Sequence, residues 1–408
     1  MSTASRLTKL VEGLDANGVL SAAKGGTGST VGASALPTQT NNSGKFLTTD
    51  GTAASWAPVS VTAAAVSDQA NTSTGYFDVP SGTTAQRPAT PDTGNLRFNT
   101  TTNYLEMYAT NAWGNVWTPF TPITATGGTI TQVAIGNRTY NVHTFSSTAG
   151  ASFTVSSVGS TGNQFEVIMW GAGGGGGGNL ASGASGGGGA YAKSTITAVQ
   201  TAYTVSVGGG GTGAIDGCVT TGGGAGGTSS FGATGGKGTD PGSSPCSSPG
   251  GGGGAGSIFA QGTTVLVAAG GGGGGGGSES SAGGTVGFGG GGGQVGYNGA
   301  SGVLGGATGN QVSYVGASGP QPSGDRSAGG GGGGGYRGGD YGQPPSADAV
   351  MGAGGGGGSS LADTIMNGVA NAAGNSADSL RGTAGNGGTA TVSGQNGLIV
   401  IRYPVTAP

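Results

Sequence analysis

Three features of this sequence predict an all-β protein, in which a short β-rich shaft is followed by a β-framework domain containing polyglycine-II rods and long loops. Glycine fills 102 of 408 positions, so one residue in four brings no side chain to bury. Segments of alternating apolar and polar residues recur between Thr/Asn turns, the pattern of half-buried strands. The glycines are also unevenly spread, 18 in residues 1–170 and 84 in the remaining 238. With 33% hydrophobic and 7% charged residues, the composition argues against an ordinary α/β enzyme of this length. A formal net charge of −3 is too small for charge repulsion to extend the chain, and it leaves no basic stripe for a nucleic-acid backbone. Residues Met1 to Gly13 lack the apolar core of a secretion signal. The longest apolar stretches, Val265 to Ala269 and Leu398 to Ile401, are strand-sized and too short to span a membrane, so a soluble protein is expected.

Three regions follow in order. Residues 1–80 form an attachment and shaft segment, with one weak amphipathic stretch (Leu7, Leu10, Val11, Leu14) and then short strands or turns. Residues 81–124 read as a hairpin or meander unit: Leu96 to Asn99, the turn Thr100 to Asn103, Tyr104 to Tyr108, and Trp113 to Trp117. Residues 125–408 form the glycine-rich domain. It opens with strands expected to bury one face: Ile130, Val133 and Ile135; Tyr140, Val142 and Thr144; Phe153 and Val155; Phe165, Val167 and Met169. Further strands are expected at Tyr191 to Ile196, Tyr203 to Val207, Ile258 to Ala269 and Gly397 to Tyr403. Phe165 to Trp170 and Leu398 to Tyr403 bracket the domain and are expected to pair.

Between those strands lie eight glycine runs, from Gly173–Gly178 to Gly354–Gly358. Collagen is excluded, because glycine does not recur at every third position and the region after Trp170 has 9 prolines. Flexible linkers would carry a large ordering cost inside one bracketed domain. Packed extended rods answer the pattern better. A three-residue-per-turn chain has no internal hydrogen bonds, so its N–H and C=O groups point outward to neighbouring rods, and only side-chain-free residues allow the approach.

Most apparent chemical motifs dissolve on inspection. Gly171 to Gly176 matches GxGxxG, but neither a helix nor an acidic residue about 20 positions on follows it. Gly235-Gly236-Lys237-Gly238 lacks the Ser or Thr of a phosphate loop and reads as a turn, as does Asp15 to Gly18, which lacks the later Glu of a calcium loop. His143 is the single histidine and reads as a polar strand residue. No metal, cofactor or catalytic site is expected. Cys218 and Cys246 lack zinc-site spacing and form one candidate disulfide pair.

Several stretches resemble bacteriophage tail fibre proteins. Lys24-Gly25-Gly26-Thr27-Gly28-Ser29-Thr30 is similar to the GGTG element of fibre shafts. Asn42 to Thr52 with Ser55-Trp56 is similar to the GKFLTTDGT.ASW repeat found beside it. Gly82 to Pro91 with Leu96 to Thr100 and Trp113 resembles the GTTAQRP…G.LRYNT…W unit, and Phe165 to Tyr403 looks like the glycine-rich tip of fibres and adhesins. The resemblance implies a virion protein assembled in the host cytoplasm, usually a homotrimer. Its N-terminal part would join other tail or baseplate proteins, and its distal loops would bind a glycan or outer-membrane receptor on the host. The shaft is short and fused to the tip, a departure from monomeric tip adhesins.

If rods form the scaffold, side chains for recognition come from the loops between them. Gln294 to Ser327 and Tyr336 to Met351 hold the densest mixture of aromatic and charged residues: Tyr297, Tyr314, Arg326, Tyr336, Arg337, Asp340 and Tyr341. Tyr336-Arg337 and Asp340-Tyr341 follow Gly335 closely, so one rod end is expected to present both pairs at one face. The bland alternative is that they cap the bundle. The function expected is non-enzymatic receptor binding. The competing readings are a polysaccharide depolymerase using loop carboxylates, and a purely structural or ice-binding protein.

Overall fold

Short antiparallel strands account for the regular structure of the chain, as the alternating segments predict. The computed structural model describes residues 40–58, 79–117, 120–160, 163–178, 183–216, 221–241, 248–278, 287–293, 313–320, 327–343 and 352–406. The stretch Leu7 to Leu14, the element Lys24 to Thr30 and the turn at Asp15 to Gly18 lie outside them. Among the described residues the single helical element is a 3-10 turn at Thr84–Gln86, and no helix is long and apolar enough to cross a membrane. Two compact units divide the chain, Met1–Ser81 and Gly82–Pro408.

In the first unit, β1 (Lys45–Thr49) and β2 (Ala54–Pro58) form an antiparallel hairpin. Asp50 fixes its turn: Oδ1 accepts from the N–H groups of Ala53 and Thr52, each at 2.9 Å, and from the Thr52 hydroxyl. Those bonds hold the Asp50 carboxyl down to about 2.

The second unit begins with a small sheet of β3 (Ser81–Gly82), β4 (Leu96–Asn99), β5 (Tyr104–Ala109) and β6 (Ala112–Asn115). The β5–β6 turn places Thr110 and Asn111 at φ 50° and 63°, the two left-handed residues of a type I′ hairpin that matches strand twist. Beneath one face lies a closed ionic cluster. Glu106, with 1% of its side chain exposed, accepts from Arg87 at 2.6 Å, Arg97 at 3.2 Å and Asn99 at 3.0 Å. These bonds, led by Arg87, hold its carboxyl below the usual range.

Two sheets then pack face to face. One has five strands in the order β15-β14-β13-β10-β7, namely β15 (Thr264–Ala269), β14 (Ser257–Gln261), β13 (Ala202–Ser206), β10 (Ala151–Ser157) and β7 (Thr124–Thr126). The other has six in the order β16-β12-β11-β17-β9-β8, namely β16 (Thr364–Met366), β12 (Tyr191–Thr197), β11 (Gln164–Trp170), β17 (Leu398–Pro404), β9 (Arg138–Phe145) and β8 (Thr129–Ile135). Phe153, Phe165, Tyr203, Phe259, Met169 and Ile401 fill the space between the sheets. Phe153 and Phe165 meet edge to face at 5.2 Å, and Tyr203 stacks on Phe259 at 5.0 Å. His143 is buried in this core. Its Nδ1 faces the Gly127 carbonyl at 2.7 Å and its Nε2 the Tyr403 hydroxyl at 3.1 Å, and burial depresses its pKa.

As expected, β11 and β17 pair, from Glu166↔Arg402 to Trp170↔Leu398. Three expectations are corrected. Ile258 to Ala269 is not one strand but the β14–β15 hairpin, reversed at Gly262 with φ 57°. β8 buries no face, because it is an outermost strand whose seven residues are all exposed, Ile130 at 48%. Gly235 to Gly238 is not a turn but part of a rod.

The glycine runs are extended rods whose hydrogen bonds change partner with a period of three. In the 171–178 rod the N–H groups of Gly171, Gly174 and Gly177 donate to Ala190, Gly187 and Ala184, while those of Ala172, Gly175 and Gly178 donate to Ala255, Gly252 and Pro249. Gly173 and Gly176 donate to Gln395 and Val392. The carbonyls of the same rod accept from three other segments, through Gly211 and Ala214, Gly272 and Gly275, and Gly388 and Thr391. One rod thus touches six neighbours, the packing expected of threefold helices without side chains. The 249–256, 270–278 and 328–335 rods repeat the pattern and bond to one another.

Two outcomes follow for stability. A Cβ at Gly174 would lie against the Gly273 carbonyl oxygen, well inside van der Waals contact, whereas at Gly114 it would meet nothing within 4 Å. Gly174→Ala is expected to cost at least ~3 kcal/mol in denaturant unfolding, and Gly114→Ala less than ~0.5 kcal/mol; equal effects would contradict the packing. Glu106→Ala strands Arg97 beside an empty site, at a cost of about 3 kcal/mol. Because the folded carboxyl titrates below its unfolded value, the stability it contributes is complete above about pH 4.5 and is lost as pH falls through the lower folded value. Fluorescence of Trp113, which packs against Tyr108, is expected to report acid destabilisation of this sheet in the wild-type chain, and in the variant a lower stability without that acid dependence.

Candidate functional site

Register and connectivity give the rods two distinct ends. The 171–178 rod leaves β11, the 183–190 rod enters β12, the 249–256 rod enters β14 and the 270–278 rod leaves β15, so all four have a sheet end. Antiparallel bonds carry this orientation through the array: Gly171 lies beside Ala190 and Gly177 beside Ala184, while Gly334 lies beside Gly271 and Ala328 beside Gly277. At the far end the described rods stop at 178, 216, 241, 278, 320 and 343 and resume at 183, 221, 248, 287, 327 and 352. Bonds from Gly177 to Ala184, Ile215 to Gly222, Gly250 to Thr239, Gly276 to Gly287, Gly332 to Ala317 and Ala353 to Gln343 hold each stop beside its restart. Six chain reversals therefore gather at one end of the array.

Against this frame the sequence-predicted residues separate into two groups. Tyr314 and Tyr336 are neighbours, with ring centroids 6.4 Å apart, and Phe231 packs on Tyr314 at 5.7 Å. They sit at the sheet end, where Phe231 and Tyr314 cover Ile258 and Ala260. Tyr336 and Arg337 make the turn there, both N–H groups donating to Ser359. Asp340 and Tyr341 do not join them. The chain after Arg337 runs back as another rod, fixed by bonds from Gly339 to Gly333 and Gly342 to Gly330, so the second pair lies along its length. Tyr341 covers Gly319 beside Thr239. The expectation of both pairs on one rod end is corrected by this reversal, which follows from glycines at 338, 339 and 342 continuing the threefold pattern. Tyr297, Arg326, Cys218 and Cys246 lie outside the described residues.

Near the far end, Lys237 reaches Asp240 at 2.7 Å, and Asp240 Oδ1 accepts from the N–H groups of Gly222 and Gly223 at 2.9 and 2.8 Å. Burial pushes the Asp240 carboxyl up, but Lys237 and the two backbone donors outweigh it and hold the group below its ordinary value. The far end of the 233–241 rod is thereby tied to the start of the adjacent 221–228 rod. Ser248 and Ser278 end the neighbouring rods, fully buried, and neither Oγ has a hydrogen-bond partner among the described residues. Their signal in the sequence is slight, a single serine one or two residues beyond a glycine run.

Two clefts lie elsewhere. On the outer face of the six-stranded sheet, a cleft of roughly 480 Å³ is lined by Arg138, Tyr140, Glu166, Arg402 and Phe120. Glu166 bridges Lys193 and Arg402 there, each at 2.5 Å. The other, roughly 630 Å³, runs between Phe288 to Gly291 and Ile365 to Ala370. Among the described residues no three His, Cys, Asp or Glu side chains converge on a metal-sized site. No protein-family model matches the sequence, and no match to a curated protein is found.

The serines supply a test of the far end. A buried hydroxyl without a partner loses its hydration for nothing, at about 1–3 kcal/mol. Ser248→Ala with Ser278→Ala is expected to leave stability unchanged or raise it by about 1 kcal/mol in denaturant unfolding. Destabilisation beyond about 1 kcal/mol would mean that these hydroxyls have bonding partners.

Proposed function

We propose that this protein is a receptor-binding component of a virion, of the tail-fibre kind, that attaches the particle to the host cell surface without chemical turnover. Its N-terminal part joins other tail proteins, it assembles as a homotrimer, and a surface glycan or outer-membrane protein is its receptor. The observation that carries the reading is the gathering of six rod reversals at one end of the array. Inner rods bury their own backbone and exclude side chains, so variety of chemistry is concentrated at rod ends and on the outermost rods, and recognition needs side chains. The order of fibre-like motifs ahead of the array supports the same reading. Each described stop is held beside its restart by a backbone hydrogen bond, so the six points where connecting segments attach are fixed at one end of the array.

The geometry moves the leading candidates. Arg326 adjoins the far-end restart at Ser327, and residues 344–351 lie between the far-end stop at 343 and the restart at 352, whereas Tyr314, Tyr336 and Arg337 belong to the sheet end. Purified protein is expected to bind host cells and to block adsorption of the particle. Replacing residues 344–350 by a Gly/Ser segment of equal length, together with Arg326→Ala, is expected to weaken that binding at least tenfold while the array still folds by circular dichroism. Undiminished binding would turn attention to the sheet-end patch, tested by Tyr336→Ala with Arg337→Ala. Release of reducing ends from host polysaccharide would instead establish a depolymerase.

A further inference from the structure

A third cleft, of roughly 490 Å³, lies at the sheet end of the array, where Ser146 after β9 and Gln395 and Asn396 ahead of β17 meet the segment that carries Arg381 and Thr383. Its walls are fixed to each other, since the N–H of Gln395 donates to Asn386 O and that of Gly385 to Asn396 O, each at 2.8 Å. Arg381 is the one charged residue of the lining, and no Asp or Glu belongs to it. That arginine is only 9% exposed. Nη1 donates to Ala384 O at 2.8 Å and to Asn386 Oδ1 at 2.7 Å, Nη2 donates to Ser376 O at 3.2 Å, and the buried Nε has no partner among the described residues. All three acceptors are neutral. Asp378 acts on the guanidinium through space, but its carboxylate is spent on Asn375 Nδ2 and the Leu380 N–H and forms no ion pair with it. Burial pulls the Arg381 pKa below its ordinary value, yet a guanidinium stays charged in a protein. Buried charges are ordinarily paired. Stapling the 375–386 segment accounts for the shape of this side chain and leaves its charge uncompensated.

We infer that this cleft binds an acidic sugar, a hydroxyl-rich ring bearing one carboxylate. The carboxylate supplies the countercharge that Arg381 lacks, and the rest of the lining suits hydroxyls. The side chains of Ser146, Thr383 and Gln395 make no hydrogen bond within the fold, and Asn396 spends only its Oδ1, on the Gly210 N–H at 2.9 Å, so its Nδ2 is free. Hydroxyls and carboxamides both donate and accept, as the neighbouring hydroxyls of a sugar require. A single positive charge matches a carboxylate better than a phosphate monoester, which carries about −1.5 to −2 at neutral pH. The volume falls within the roughly 300–1,000 Å³ of small-molecule sites, and walls already tied together lower the ordering cost of binding. This cleft stands at the opposite end of the array from the candidate receptor surface, so its ligand is independent of attachment there.

Calorimetric titration of the full chain with galacturonate at neutral pH is expected to show saturable binding at least ~tenfold tighter than that of galactose, acetate or inorganic phosphate. No saturation by galacturonate, or an equal affinity for any of the other three, overturns the inference. Arg381→Gln removes the charge and is expected to weaken galacturonate binding at least ~tenfold. Because that variant could also release the 375–386 segment, Thr383→Ala with Gln395→Ala provides a second measurement. Those two side chains hold nothing in the fold, so the circular dichroism and thermal midpoint are expected to match the wild type while galacturonate affinity falls at least ~tenfold. Wild-type affinity in either variant overturns the inference.

Discussion

Every rod in this protein depends on one constraint: an extended backbone has no internal hydrogen bonds, so each peptide group must find its partner in a neighbouring chain. Threefold symmetry spreads those partners over three directions for N–H and three for C=O, and the 171–178 rod uses all six. The carbonyl of Gly273 stands where a side chain at Gly174 would go, so the same closeness that makes the bonds excludes Cβ atoms. Buried alanines stand near the rod ends, at Ala172, Ala190 and Ala255 by the sheets and at Ala184, Ala328 and Ala353 by the far end, and they keep the same backbone bonds. Glycine content here is a packing requirement.

An array of this kind cannot nucleate cheaply, because each rod is ordered only when its neighbours are. The sandwich supplies the fixed edge. β11, β12, β13, β14 and β15 each run directly into or out of a rod, and Trp170, the last residue of β11, donates its indole N–H to Gly374 O at 3.0 Å and accepts through its carbonyl from Ser257 Oγ at 2.7 Å. Aromatic packing among Phe153, Phe165, Tyr203 and Phe259 sets the spacing from which the first rods depart. Conventional hydrophobic burial thus stabilises the base, and backbone hydrogen bonding stabilises what the base holds.

Much of this organisation is legible in the sequence. Period-two alternation marks the strands, and glycine runs bracketed by apolar segments mark the rods and the pairing of β11 with β17. The failures have physical causes. Tyr336-Arg337 and Asp340-Tyr341 look adjacent along the chain, but Gly338, Gly339 and Gly342 resume the lattice, and no local signal separates a two-residue turn from a loop. Ile258 to Ala269 reads as continuous because Gly262 is an isolated breaker. β16 is three residues long, with a pattern of its own too short to detect, and it forms only because β12 offers an edge. The burial of Arg97, Asn99 and Glu106 in β4 and β5 escapes notice, since alternation reports two faces but not which one is covered. Of the site residues named from composition, Arg326 alone adjoins a far-end restart, because the sorting of rod ends into two groups is set by the register of the rods and not by any local signal.

The division between an oily base and a backbone-bonded array bears on how stability varies with temperature. Heat-capacity change on unfolding comes from exposed apolar surface, about +0.45 cal/K/mol/Å², and is reduced by exposed polar surface, about −0.26. The rods release mostly peptide groups when they come apart, so their heat-capacity increment per residue falls below that of a conventional core. Their stability curve is correspondingly flat, losing little on cooling, while the curvature of the whole domain is set by the aromatic cluster between the two sheets. In cold water, where burial of hydrocarbon weakens, the sandwich rather than the glycine array is the part that gives way first.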